Sequence, residues 1–380
     1  MLQTNVHKSN KSLGVTEREQ QVLALIHENP LISQIEIAEK LRISRSAVAG
    51  HIMRLVAKGV IKGRGYVISD KPFIAVVGGA NLDICGVPAG KLRMRDSNPG
   101  SVNASPGGVA RNIAENLARL GADCRLIAAV GKDNHGDLLL EQGQAAGIDM
   151  RYMLRLDAAQ TSTYVSVLDN TGDMLVAIND MSIMDEIRPE RLQVHEPMLR
   201  QASLVIADTN LSADALAYLS GSFIEQPLLI DTVSAAKANR IKPYLDSVHT
   251  LKASHIEAEA LSGIDAPTKK QLPRIVNWFH DRGVARVFVT LGAEGVFYSD
   301  GREQGLEKAG APSNGVANAS GAGDAFVAGI AYSWLKQWPL TKTVRFATSA
   351  ANVALAHRST INPGMSTAAV NRLYEAQYAE

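Results

Sequence analysis

The sequence predicts a doubly wound α/β fold, a mostly parallel sheet flanked by helices, preceded by a small helical domain of different texture. Three observations point to it. From Phe73 onward, short apolar runs alternate with helical periods: FIAVVGG (73–79), LIAAVG (126–131), LVIAD (204–208), LLID (228–231), HTLKAS (249–254) and VFVTLG (287–292). Each run ends in a polar or glycine loop, and strands apolar along their whole length are buried on both faces, as in a parallel sheet covered by helices. Before Phe73 the pattern is helical and the charge changes sign: residues 1–71 carry eleven Lys/Arg against six Asp/Glu, the remaining 309 residues 28 against 32.

A chain of 380 residues exceeds the usual single domain, which favours two units or one large unit with an appendage. No apolar run reaches about 18 residues, and the start MLQTNVHKSNKS lacks the apolar centre of a signal peptide, so a cytoplasmic protein is expected. Cys85 and Cys124 are too few for a disulfide framework or zinc site. The nine histidines show no HxxxH or HxxE spacing, which argues against a dedicated metal cage.

After a flexible stretch expected over residues 1–15, Thr16 and Glu19 form a capping-box pattern, and Val22, Leu25 and Ile26 follow at helical spacing until Pro30. Ser33 caps a second helix, with an apolar face of Ile35, Ala38 and Leu41. The third run, SRSAVAGHIMRLVAKG, buries Val48, Ile52, Leu55 and Val56, leaves Arg45 and Ser46 free at its start, and stops at Gly59. VIKGRGYVIS then reads as a hairpin turning at Gly63 to Gly65. Three short helices and a hairpin over residues 16–70 make a winged helix-turn-helix, and the stretch resembles the winged DNA-binding domains of bacterial regulators. Arg45 and Ser46 would face base edges, with Lys62 and Arg64 of the wing near phosphates. The alternative is a small protein-docking module.

In the α/β part, VARNIAENLARLG sets Val109, Ile113, Leu117 and Leu120 on one stripe and ends on Gly121 as C-cap. One segment, 162–181, breaks the βα rhythm. It holds two alternating strands around a turn at Asp169 to Asp173, and with residues near 84–104 it is expected to form a small β lid over the strand ends. A decorative surface hairpin is the other reading.

Ligands of doubly wound sheets sit at the carboxyl ends of the strands, and four polar stretches fall there. GGANLD places Asn81 and Asp83 to hold vicinal hydroxyls. SPGGVARN puts Gly107 and Gly108 at a helix N-terminus. TLGAEG offers Thr290, Gly292 and Gly295 around a turn open enough for a nucleotide. NASGAGDAF sets Gly321, Ala322 and Gly323 at the mouth of a helix with Asp324 inside it. Unpaired amides at a helix start, with the dipole behind them, suit a phosphoryl group, and an ionised Asp324 beside them would act as base. Alone, GAGD is also simply a good helix start; combination with the other three makes the chemical reading.

In these motifs and their order, residues 73–380 resemble the ribokinase-like (PfkB) family of carbohydrate and nucleoside kinases. The resemblance implies ATP- and Mg²⁺-dependent phosphorylation of a primary hydroxyl. Asp324 would be the catalytic base and Gly321 to Gly323 the anion hole. Asn81, Asp83, Gly107, Gly108 and Asn112 would hold the sugar. Ser254, Thr290, Gly292 and Gly295 would line the ATP site, and Glu257 of SHIEAE would organise Mg²⁺ and phosphate through water. DSNPG (96–100), SPGGVARNIAENLARLG, LDNTGDMLVAINDM (168–181) and HTLKASHIEAEALSG look most like pseudouridine kinases, with Ser166, Asn179 and Asp180 of the lid available to a uracil edge. Two positions depart from the family. Ser254 replaces the asparagine of Asn-x-x-Glu, and Asn318 replaces an aspartate where many members hold a monovalent cation, which leaves K⁺ activation open. The implied function is a nucleoside kinase fused to a DNA-binding regulatory domain, acting on pseudouridine at its 5′-hydroxyl. The alternatives are a kinase for another nucleoside or a free sugar, or a ligand-sensing regulator with weak turnover. A homodimer or higher oligomer is expected, since family dimers pair through the lid and helix-turn-helix domains read two half-sites.

Overall fold

The computed structural model describes residues 15–30, 32–61, 72–221, 225–310, 316–318 and 320–378. The chain divides into two compact units, Met1–Pro72 and Phe73–Glu380. No helix among the described residues is long and apolar enough to cross a membrane.

The first unit holds α1 (Glu17–Glu28), α2 (Gln34–Leu41) and α3 (Arg45–Ala57). The capping box at α1 forms as its sequence dictates: Thr16 N–H donates to Glu19 Oε2 at 2.8 Å, and Glu19 N–H donates to Thr16 Oγ1 at 3.4 Å. That carboxylate is fully buried and also takes Arg54 Nε at 3.0 Å and Lys58 Nζ at 2.7 Å from α3. Burial pushes Glu19 up, but the hydrogen bonds from Lys58, Thr16 and Arg54 outweigh it and hold it at about 2. Val22, Leu23, Ile26, Ile37, Ala38, Val48, Ile52 and Leu55 form the small core. Two expectations fail here. Ile35 is 54 % exposed and Ile37 takes its place, because the two lie about 200° apart round the helix and only Ile37 shares the stripe with Ala38 and Leu41. Val56 is 48 % exposed, one residue off the stripe of Val48, Ile52 and Leu55.

The second unit is built on an eight-stranded sheet in the order β14-β13-β12-β11-β10-β9-β1-β4. Its strands are β1 (Phe73–Val77), β4 (Asp123–Ile127), β9 (Leu204–Asp208), β10 (Leu228–Asp231), β11 (Thr250–Ser254), β12 (Arg286–Thr290), β13 (Val296–Ser299) and β14 (Gln304–Glu307). All neighbours are parallel except at β13 and β14. Side chains alternate between two cores. Ala75, Val77, Val205, Ile230 and Leu251 pack against one helical layer. Ile74, Val76, Ile206, Leu229 and Phe288 pack against the other. The second layer contains α4 (Val109–Arg119), α9 (Ala322–Leu335), α10 (Leu340–Leu355) and α11 (Thr367–Tyr378). The chain runs from β1 outward to β4 and then crosses to β9 on the other side of β1, so the switch point, where such sheets bind ligands, lies between β1 and β9.

The run 126–131, read from sequence as one strand, splits. β4 ends at Ile127, whose carbonyl accepts the Gly78 N–H, and Ala129–Gly131 becomes β5, paired with β6 (Leu154–Leu156) in a separate sheet. Gly121, with φ +83°, stands one residue past the C-cap of α4, Leu120, rather than at it.

A second sheet of four strands, β3-β2-β7-β8, joins β2 (Asn81–Pro88), β3 (Gly100–Gly107), β7 (Thr163–Leu168) and β8 (Met174–Asp180). Its register sorts the side chains by face. Ser105, Asp83, Tyr164 and Asn179 align across one row, and Asn103, Cys85, Ser166 and Ala177 across the next row of that face. The opposite face aligns Ala104, Ile84, Val165 and Ile178, then Val102, Gly86, Val167 and Val176. One face is therefore polar and the other apolar.

Candidate active site

The polar residues converge at the carboxyl edge of the main sheet. Asn81 opens β2 and its Nδ2 donates to Asp83 Oδ1 at 2.6 Å. Burial raises the Asp83 carboxyl, against the Asn81 hydrogen bond and the Arg111 charge. Gly107, at the end of β3, lies so close that a Cβ there would overlap the Asp83 carboxylate, so this glycine makes room for the acid. Gly108 is the N-cap of α4, and Asn112 on its first turns donates through Nδ2 to Asp324 Oδ2 at 2.9 Å. Asn112 Oδ1 is buried with no partner in the chain, an acceptor that a ligand hydroxyl would satisfy.

Gly321 caps α9 in the left-handed region, φ +80°, and a Cβ there would overlap the Thr360 carbonyl; only glycine fits. Ala322, Gly323 and Asp324 are the first three residues of α9, so their N–H groups have no partner in the helix. Asp324 keeps part of its surface open to the crevice but sits deep among protein atoms. That burial, with the charge of Asp231, raises its carboxyl to about 7 against the Asn112 hydrogen bond and Lys252. The helix amides alone would keep this carboxylate ionised, as expected from NASGAGDAF. Desolvation wins, and the group is poised near neutrality, where a general base works well.

Three charged residues outside the four sequence motifs complete the edge. Asp208 at the end of β9 accepts Gly79 N–H (2.9 Å) and Ala110 N–H (3.0 Å) on Oδ2 and Asn210 N–H (2.9 Å) on Oδ1. It thereby ties the loop after β1 to the start of α4, and burial raises it to about 6. Asp231 at the end of β10 pairs with Lys252 of β11, Nζ to Oδ2 3.1 Å, both nearly inaccessible. Lys252 lies under Gly323, where a Cβ would come within 3.1 Å of Nζ; burial lowers it, but the charges of Asp231, Glu257 and Asp324 outweigh that and raise it. The signal was visible, since LVIAD and LLID both end in an acid at a strand's carboxyl end.

On the other flank, Ser254 is the N-cap of α7 (His255–Ser262), which follows α5 (Asn134–Ala145) and α6 (Ala213–Leu219) and precedes α8 (Leu272–His280). Glu257 Oε2 accepts Ser254 N–H and Thr232 Oγ1–H, both at 2.7 Å, so this carboxylate is locked by a capping box, with Oε1 left outside these bonds. A pocket of about 360 Å³ opens here, lined by Ser254, His255, Ile256, Thr290, Gly292 and Glu294. Gly295 closes the turn after β12, pressed against the Glu307 backbone rather than lining that pocket. Among the described residues no three His, Cys, Asp or Glu cluster to hold a metal. Mg²⁺, which takes one or two carboxylates and fills its shell with water and phosphate oxygens, fits such a donor set. In the first unit Arg45 and Ser46 are exposed on the first turn of α3, while Lys62 and Arg64 lie outside the described residues.

Residues 71–368 match the model of the pfkB family carbohydrate kinases. The chain belongs to the PfkB family. Residues 16–62 match a winged helix-turn-helix DNA-binding model, and the first unit is a domain of that type. The uncharacterized sugar kinase YeiI of Escherichia coli K12 is 39 % identical over 93 % of this chain and 97 % of its own length, an alignment long enough to run into both units. The pseudouridine kinase of the same organism is 40 % identical over 80 % of this chain and 97 % of its own. A solved putative sugar kinase from Clostridium perfringens superposes with a TM-score of 0.73 at 32 % identity, covering 81 % of this chain and 97 % of that one. This PfkB protein is therefore a sugar or nucleoside kinase, a phosphotransferase with an alcohol acceptor, and PfkB kinases use ATP and Mg²⁺.

Proposed function

We propose that this kinase phosphorylates the 5′-hydroxyl of pseudouridine with ATP as donor, and that its first unit binds DNA to regulate genes for the same chemistry. The observation that carries the mechanism is Asp324, a carboxylate poised near pH 7, held by Asn112 on the first turn of a helix whose N–H groups are free. The likeness to pseudouridine kinase over nearly that protein's whole length supports the acceptor.

The acceptor O–H gives its proton to Asp324 while its oxygen attacks the γ-phosphorus in line, and the bond to the ADP oxygen breaks opposite. The amides at Gly321, Ala322 and Gly323, with the Lys252 ammonium beneath, meet the charge that develops on the transferring group. Asn81 and Asp83 hold the ribose hydroxyls, Asn112 Oδ1 accepts one more, and Gly107 and Gly108 let the sugar approach. Ser254, Thr290 and Gly292 line the nucleotide pocket, with Gly295 setting the turn. Glu257 would hold Mg²⁺ through water, and the ion would supply charge neutralisation of the phosphates when bound. Tyr164, Ser166 and Asn179 share the face of Asp83, which supports base recognition by the lid sheet. Asp180 lies on the opposite face and already accepts Ser182 N–H and Oγ–H, so it leaves the set named from sequence.

We also infer a homodimer through the apolar face of this sheet, where Val102, Val165, Val176 and Ile178 are exposed. Product identification tests the substrate: with MgATP, pseudouridine should give a 5′-phosphomonoester by phosphorus NMR. Phosphorylation of ribose in preference to every nucleoside would refute the reading.

A further inference from the structure

The turn that sets Asp324 is braced by a second segment, the end of α10 and the loop after it, Leu355 to Ile361. Ala317 N–H donates to the Leu355 carbonyl at 2.8 Å. Asn318 Nδ2 donates to the Arg358 carbonyl at 2.9 Å, and Asn318 Oδ1 accepts Ser320 N–H at 2.9 Å. Gly321 then abuts the Thr360 carbonyl. The Asn318 carboxamide thus spans the two segments, and only one orientation of the amide pairs donor with acceptor at both ends.

A monovalent cation does not fit this corner. Such an ion would draw on backbone carbonyls with a carboxylate to balance its charge. Here the Arg358 carbonyl already receives an N–H, so a donor stands where a cation would need an open oxygen. Neither 316–321 nor 355–361 contains an Asp or Glu, and Arg358 adds positive charge.

We propose that Asn318 is a positioning residue whose neutral side chain braces the Gly321 turn, and that folding and turnover of this kinase are therefore indifferent to potassium. Replacing Asn318 by Asp keeps an acceptor for Ser320 N–H but turns a second carboxylate oxygen toward the Arg358 carbonyl. Two facing acceptors repel, and a cation between them would relieve the clash.

The test uses the full chain in potassium chloride and in choline chloride at matched ionic strength, with thermal unfolding as the first readout because it needs no substrate. The wild type should melt at the same temperature in both salts. Asn318→Asp should melt lower in choline and recover in potassium, and Asn318→Ala should melt lower in both. With any acceptor that is turned over, kcat of Asn318→Asp should fall roughly tenfold in choline and recover in potassium with KM little changed, the cost of about one hydrogen bond at the turn. A wild type stabilised by potassium over choline overturns the proposal, as does Asn318→Ala with wild-type melting and kcat. If Asn318→Asp does not fold, those two comparisons still decide.

Discussion

As the proposed base, Asp324 would meet two opposed demands, ionisation for catalysis and burial for a water-poor site. Its carboxyl is raised from 3.8 to about 7 by burial and by Asp231. Between those values the folded chain holds a proton that the unfolded chain has released. Its contribution to stability therefore falls as pH rises through that window and is lowest above pH 7. Two outcomes are expected. The kcat/KM profile should carry an acidic limb with an apparent pKa near 7, activity rising as Asp324 ionises. Asp324→Asn should lower kcat by roughly 10²- to 10⁴-fold yet raise the melting temperature by roughly 2–4 °C at pH 8, a trade of stability against function read by scanning calorimetry. The position of Asp324 was legible in NASGAGDAF, but its protonation was not. The groups that set it, Asp231, Lys252 and Asn112, lie far off in sequence and act through packing that no local pattern encodes. Asp208 and Asp231 carry a signal, as the acids that close LVIAD and LLID, whereas Lys252, one lysine on an apolar strand, has no pattern to betray it.

At the scale of elements, the site depends on how strand ends and helix starts are pinned together. Lys252 and Asp231 join β10 and β11 in a pair 10 % and 2 % exposed, so removing one partner strands a buried charge. Lys252→Met should cost about 3 kcal/mol in urea unfolding, and the double variant with Asp231→Asn should recover much of that. Gly321→Ala forces a side chain against the Thr360 carbonyl at a positive φ and shifts the start of α9. With the reacting groups displaced by about 1 Å, kcat should fall roughly 100-fold while the far-UV circular dichroism spectrum stays the same. Short apolar runs closed by a polar or glycine loop, such as β1, β9 and β10, and the apolar stripe of α4 could be placed from the chain alone. The break at Ala128 could not, because 126–131 is apolar throughout and the change of partner from β1 to β6 is decided by tertiary pairing. Ile35 misled because a short helix offers two apolar candidates and the fold selects one.

At the scale of the whole molecule, a kinase unit and a winged helix-turn-helix unit share one chain. Ile178, 70 % exposed on the apolar face of the lid sheet, is the probe of self-association: Ile178→Asp should shift sedimentation from dimer to monomer, and an unchanged dimer would place the interface elsewhere. Arg45→Ala should weaken binding to the chain's own upstream DNA, and the wild-type affinity should fall steeply with salt. The change of charge and periodicity near Phe73 falls where the chain divides into two units, whereas the sorting of the four-stranded sheet into a polar and an apolar face needed its register. The central claim is a nucleoside kinase whose base is Asp324. The most direct measurement is ADP release with MgATP and a panel of pseudouridine, uridine, adenosine, ribose and fructose, run beside Asp324→Asn. The account predicts the highest kcat/KM for pseudouridine and loss of that release in the variant; release from no acceptor above the variant's level would contradict it.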